Sequence, residues 1–108
     1  MGMSDFGMTK LMESDQIIVW ELVLEPGEST GVHTHEFDYI VYVLEGSTLL
    51  ATDGDGSNPS EVVLADRDSF QFKIDGDMAL AGELQTTATH NAKNIGPGRY
   101  REIMVEVK

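Results

Sequence analysis

The stretch GESTGVHTHEFDYIVYVLEG, Gly27 to Gly46, sets two histidines two residues apart between a glycine-rich approach and a β-like run. Ile40, Val41, Tyr42 and Val43 are consecutive β-branched or aromatic residues, poorly suited to a helix interior and well suited to a pleated surface. In a strand, side chains at i and i+2 share a face, so His33 and His35 project together and Thr34 points the other way. Two imidazoles so placed can chelate one ion at about 2.0 to 2.1 Å each. The competing reading is one buried, hydrogen-bonded histidine and one solvated. The chain holds a single further histidine, His90, in the run THNAKN.

On either side of this stretch the text stays β-like. Ile17 to Leu24 is aliphatic and aromatic and is closed by Pro26-Gly27, which reads as a strand and a turn. Ser47 to Thr52 pairs back as the next strand, DGDGSNPS (Asp53 to Ser60) is turn chemistry throughout, and Glu61 to Ala65 is a short strand. Phe70, Phe72 and Ile74 alternate with Ser69, Gln71 and Lys73, the pattern of a half-buried strand. Ile103, Val105 and Val107 alternate with Glu102, Met104 and Glu106 in the same way. Lys73 to Gln85 reads as an inserted loop. Residues 1–15, with four of the six methionines and no clear period, read as an N-terminal arm packing on the domain or on a second subunit, ahead of a domain over 16–108. Many short strands parted by Gly, Pro, Asn and Asp clusters define an all-β sandwich or barrel.

Composition narrows the function classes. A chain of 108 residues with 41% hydrophobic content supports one core and one domain. With no cysteine, any metal must be held by nitrogen and oxygen, and thiol nucleophiles and iron–sulfur ligation drop out. A formal charge of -12 argues against nucleic acid and anionic membranes as partners. No apolar run reaches the roughly 20 residues that a bilayer crossing needs, and the first 14 residues lack a secretory pattern, so a cytoplasmic protein is expected. DGDGS resembles the start of a calcium loop, but Asn58 stands where such a loop needs glycine and Leu64 where it needs glutamate. Arg67, Arg99 and Arg101 are candidates to pair either with a substrate carboxylate or with the abundant surface acids.

The spacing of Gly27, His33, His35 and Gly46 resembles the first signature of the cupin superfamily: glycine, five residues, HxH, three or four residues, glutamate, six residues, glycine. His90 and Asn94 reproduce the ending of the second signature, and IGPGRYREIMVEV is similar to the final hairpin of small cupins. HTHEFDY resembles the HxHxxDY type of small single-domain cupins. Two departures stand out: Tyr39, preceded by Asp38, replaces the signature glutamate, and the proline-containing motif before His90 is missing.

The resemblance implies a single jelly-roll barrel, or double-stranded β-helix. It implies one divalent transition metal ion (Fe, Zn, Ni, Mn, Co or Cu) on His33, His35 and His90, and a small organic molecule bound beside it. It further implies a homodimer. Tyr39 then points inward as a proton donor or a partner of metal-bound water, or simply as barrel filling, whereas strand alternation sends Asp38 to the opposite face. The activity implied is a dioxygenase, or an isomerase or lyase. A binding module or sensor without turnover, or a barrel with vacant histidines, is the alternative.

Overall fold

A computed structural model describes residues 8–108. Eleven strands follow in order: β1 (Met8–Glu13), β2 (Ile17–Leu24), β3 (His33–Thr34), β4 (Asp38–Glu45), β5 (Ser47–Asp53), β6 (Ser60–Leu64), β7 (Ser69–Asp75), β8 (Met78–Ala81), β9 (Leu84–Thr87), β10 (Thr89–Asn94) and β11 (Tyr100–Val107). They form two antiparallel sheets, a seven-stranded one in the order β1-β2-β11-β4-β7-β8-β9 and a four-stranded one in the order β3-β10-β5-β6. Leu22, Leu24, Val41, Val43 and Phe72 of the larger sheet pack with Leu49 of the smaller one to make the core. No helix is long and apolar enough to cross a membrane among the described residues.

The two glycines that frame the opening stretch have different jobs. Gly27 sits at φ 89°, a left-handed conformation that suits glycine. Gly46, by contrast, leaves no room: a Cβ there would lie 2.1 Å from the Leu64 carbonyl oxygen where β4 turns into β5. Asn94 fastens the same end of the barrel. Fully buried, it donates to the carbonyls of Leu24 and Gly98 at 2.8 Å and accepts from Ser47 Oγ and the Gly96 amide, so all of its polar capacity is used inside the protein.

Three expectations are revised. Lys73 to Gln85 is no inserted loop: β8 pairs with β7 on one side and β9 on the other, through turns holding Gly76 at φ 63° and Gly82 at φ 61°. The alanines of Met78-Ala79-Leu80-Ala81 carry little strand propensity, yet Ala79 is completely buried between its neighbours, so tertiary pairing outweighs local preference. Second, part of the N-terminal arm is a strand, which packs on the domain as one of the two expected placements had it: Met8–Glu13 pairs along β2 across a bulge between Lys10 and Met12, and residues 1–7 lie outside the described residues.

The third revision concerns β11, whose faces are the reverse of what the alternation suggested. Tyr100, Glu102 and Met104 are buried, while Ile103, Val105 and Val107 face outward. The two acids tolerate the interior because each has a partner: the Tyr100 hydroxyl donates to Glu102, and the Trp20 indole donates to Glu106 at 2.7 Å.

Candidate metal centre

The register of β10 explains how histidines far apart in sequence meet. His90 pairs directly with His33, so both side chains stand on one face of the smaller sheet. The ladder continues one step beyond β3, where the His35 amide donates to the Ala88 carbonyl at 2.9 Å, and His35 therefore shares that face. The candidate ligand atoms of His33, His35 and His90 all lie within 4.8 Å of one another. Ring centroids are 4.8 Å apart for His33 and His35, 4.6 Å for His33 and His90, and 5.0 Å for His35 and His90.

Two of the rings have their Nδ1 hydrogen-bonded. His33 Nδ1 lies 3.0 Å from the Gly31 carbonyl oxygen, with Thr30 Oγ1 at 3.2 Å. His90 Nδ1 lies 2.6 Å from the Thr87 carbonyl oxygen. A carbonyl can only accept, so both nitrogens carry the proton and both Nε2 atoms keep a free lone pair. His35 Nδ1 faces a Glu106 carboxylate oxygen at 3.9 Å. Backbone carbonyls and a carboxylate behind imidazoles are the outer partners that orient metal-binding histidines and raise their basicity.

Burial, then the neighbouring histidines, hold the His90 imidazole down at about 4, and burial also lowers His33. Two of the three rings are thus neutral near pH 7, the form that binds metal. The donor set fits a divalent transition ion, since three imidazole nitrogens suit Fe, Zn, Ni, Co or Cu better than Mg or Ca.

Tyr39 is buried, and its ring is stacked on His35 at 4.1 Å and 22° and on Phe72 at 4.8 Å and 14°. Burial, reinforced by the charges of Glu102 and Glu106, raises its phenol well above the ordinary tyrosine value, so it stays protonated. Asp38 is on the other face, where it accepts the Ile74 amide at 2.8 Å and ties β4 to β7. Arg99 and Arg101 are paired on Glu45, with Arg101 reaching Glu21 as well.

The histidines and Tyr39 line a cavity of ≈ 500 Å³. Its walls are mostly apolar, with Val41, Phe70, Phe72, Leu84 and Met104 among them. Its polar lining includes three groups that the sequence reading passed over. Asp53 accepts from Asn58 at 2.7 Å and from Thr87 at 3.2 Å, and Glu102 and Thr30 line the cavity as well. The one available signal for the β11 acids was their shared parity with Tyr100 and Met104, which would have placed all of them on one face.

Two antiparallel sheets enclosing a histidine cluster in this order of strands have the cupin fold, a double-stranded β-helix, here with its sheets unclosed. A cupin domain from Bordetella pertussis Tohama I is 23% identical, with a TM-score of 0.72 over 99% of this chain and 99% of its own. An RmlC-like cupin family protein with a double-stranded β-helix fold from Methanocaldococcus jannaschii is 13% identical, with a TM-score of 0.63 over 93% of this chain and 77% of its own. The polyketide cyclase RemF from Streptomyces resistomycificus is 20% identical, with a TM-score of 0.59 over 93% of this chain and 63% of its own. No family model and no curated protein matches the chain. At these identities the likeness establishes the fold.

Proposed function

We propose that the protein is a metal-dependent enzyme acting on a small organic molecule, with His33, His35 and His90 holding one divalent transition metal ion. The observation that carries this reading is the convergence of three imidazoles, two of them with Nδ1 hydrogen-bonded to a backbone carbonyl, on a largely apolar cavity of ≈ 500 Å³. Such an ion supplies dioxygen chemistry if it is iron, or Lewis-acid chemistry suited to an isomerase or lyase if it is zinc. The chain's own residues bind and orient: the apolar walls exclude water, and Tyr39 keeps a phenolic proton beside the His35 ring. The protein is proposed to work in the cytoplasm. The test is metal analysis of untagged protein, followed by oxygen uptake if iron is found or product detection if zinc is found. Metal-loaded protein that binds candidate molecules without converting any would overturn the catalytic reading.

One observation favours a binding module without turnover. The carboxylates on the cavity wall, Asp53 and Glu102, are both already hydrogen-bonded within the protein. In that case ligand raises thermal stability and nothing is consumed.

Tyr39 is the group proposed for catalysis. Tyr39→Phe keeps the stacking on His35 and removes only the hydroxyl, so metal content is expected to hold while turnover falls by about 10²-fold or more. Loss of metal from this variant would instead make the phenol a ligand, and unchanged turnover would leave it as packing.

A homodimer is part of the proposal, formed through the outer face of the larger sheet. Val19, Val105 and Ile40 lie in one cross-strand row there, and Tyr42 stands opposite Ile103 in the next. Ile40 is 39%, Tyr42 42% and Val107 42% exposed. Light scattering is expected to give a dimer that strengthens with salt, because two chains of charge -12 repel one another. Tyr42→Glu is expected to give a monomer, and a monomeric wild type would remove the dimer from the proposal.

A further inference from the structure

The terminal strand carries a second polar locus in the cavity, apart from the histidine cluster. Glu102 is only 8% exposed, and one of its oxygens accepts the Tyr100 hydroxyl. The Tyr100 hydroxyl is the one hydrogen-bond partner its carboxyl has among the described residues, and because no fully buried side-chain oxygen there lacks a partner, the other oxygen is open to the surroundings of the cavity that Glu102 lines. Among the described residues no lysine or arginine lines that cavity to balance the acid. Leu22 is its partner on β2, and Met8 is the partner of Leu22 on β1; both residues are part of the same apolar wall. A carboxyl group so placed is costly to bury, and one tyrosine hydroxyl satisfies only half of it.

Its position along β11 fixes a distance. Glu106, four residues on and on the same face, stands opposite Tyr39 and has an oxygen 3.9 Å from His35 Nδ1. Four residues of strand span about 13 Å. The histidines and Glu102 therefore line one cavity at places separated along the direction of β11, with Phe70 and Phe72 among the other residues lining it.

We propose that Glu102 is a specificity-determining residue, selecting ligands with a flat apolar body and a hydroxyl group at the end away from the metal. The inference rests on the metal-cavity reading above. A hydroxyl is the group of choice because it both donates and accepts. Burial, opposed by the Tyr100 hydrogen bond, pushes Glu102 up to about 7, so both of its protonation states are populated near neutrality, and an ammonium group would be matched by the ionised one alone.

The test uses the full chain loaded with zinc and three probes: biphenyl-4-carboxylate, its 4′-hydroxy derivative and its 4′-methoxy derivative. The carboxylate addresses the metal, and only the hydroxy compound can donate a hydrogen bond at the far end. Calorimetry is expected to show the hydroxy probe binding about tenfold more tightly than the other two. Glu102→Leu should erase that preference. Glu102→Gln, which keeps an acceptor for Tyr100, should reduce it, because a neutral acceptor makes the weaker hydrogen bond. Equal binding of the three probes by the wild type, or a preference unchanged in both variants, overturns the role of Glu102 and leaves the metal cavity standing. Failure of all three probes to bind protein that retains its zinc overturns the cavity reading, and the role of Glu102 with it.

Discussion

His33→Ala is expected to purify without its metal, where the wild type carries a near-stoichiometric amount. The expectation follows from the pairing of His33 with His90 and the shared face of His35, which leave no substitute nitrogen among the described residues. Losing one of three imidazoles removes a ligand, and it also frees the two that remain to relax apart. His35→Ala and His90→Ala should behave alike, whereas Thr34→Ala, on the opposite face, should keep its metal. The loss should also register as stability. An ion present at 100 to 1,000 times its dissociation constant stabilises the folded state by about 3 to 4 kcal/mol, and the variants should no longer respond to added metal. Metal analysis with thermal melts, with and without a chelator, makes the measurement. Undiminished metal in both the His33 and His35 variants would sink the site, and undiminished metal in the His90 variant alone would remove β10 from it.

The second large effect is one of pH. Glu102 is raised from 4.5 to about 7 by burial, with the Tyr100 hydrogen bond working in the other direction. Its other close neighbours, Leu22 on β2 and Val43 on β4, are apolar, and Tyr39 is a neutral phenol. A carboxyl whose folded value lies above its unfolded value favours the folded state fully below about pH 4.5. That contribution falls as pH rises towards 7, because the unfolded chain ionises first, and above the folded value it is gone. The rise corresponds to about 3 kcal/mol, a large part of the stability of a small domain. Urea midpoints for the wild type and Glu102→Gln, measured from pH 4 to 8 on metal-free protein, should diverge. The variant should lack this decline and gain relative to the wild type at the alkaline end. Parallel curves would mean that Glu102 is solvated enough to ionise normally.

The parts of the molecule that the sequence disclosed are those governed by local periodicity. The i, i+2 spacing of His33 and His35 and the alternation of Phe70, Phe72 and Ile74 needed no tertiary knowledge to interpret. Gly46 and Asn94 were visible through the cupin resemblance, although their reasons, a carbonyl 2.1 Å from a would-be Cβ and a four-bond polar anchor, belong to the folded state. What stayed hidden depends on distant partners. Glu106 is acceptable inside because of Trp20, 86 residues away, and an alternation of acids with aliphatics cannot reveal that the acids are the inner set. The β8 strand was hidden for the converse reason: its residues are unremarkable alone and become a strand only by pairing on both sides.

Among the described residues, the strand that bears His33 is also the shortest and stands at the edge of its sheet, with β10 as its one neighbour. From Gly27 to His35 the chain runs along β10 and its flanks, held by backbone hydrogen bonds that include the Gly27 amide to Asn94, the Thr30 amide to Ala92 and the His35 amide to Ala88. A border of this kind can fray while the core stays folded, since edge segments open at far lower free energy than central strands. Two of the three imidazoles therefore sit on this edge. If the proposed ion binds there, its coordination bonds would tie the edge to β10, and the rate of metal exchange is expected to follow how often the edge opens, separately from how tightly the closed site holds its ion.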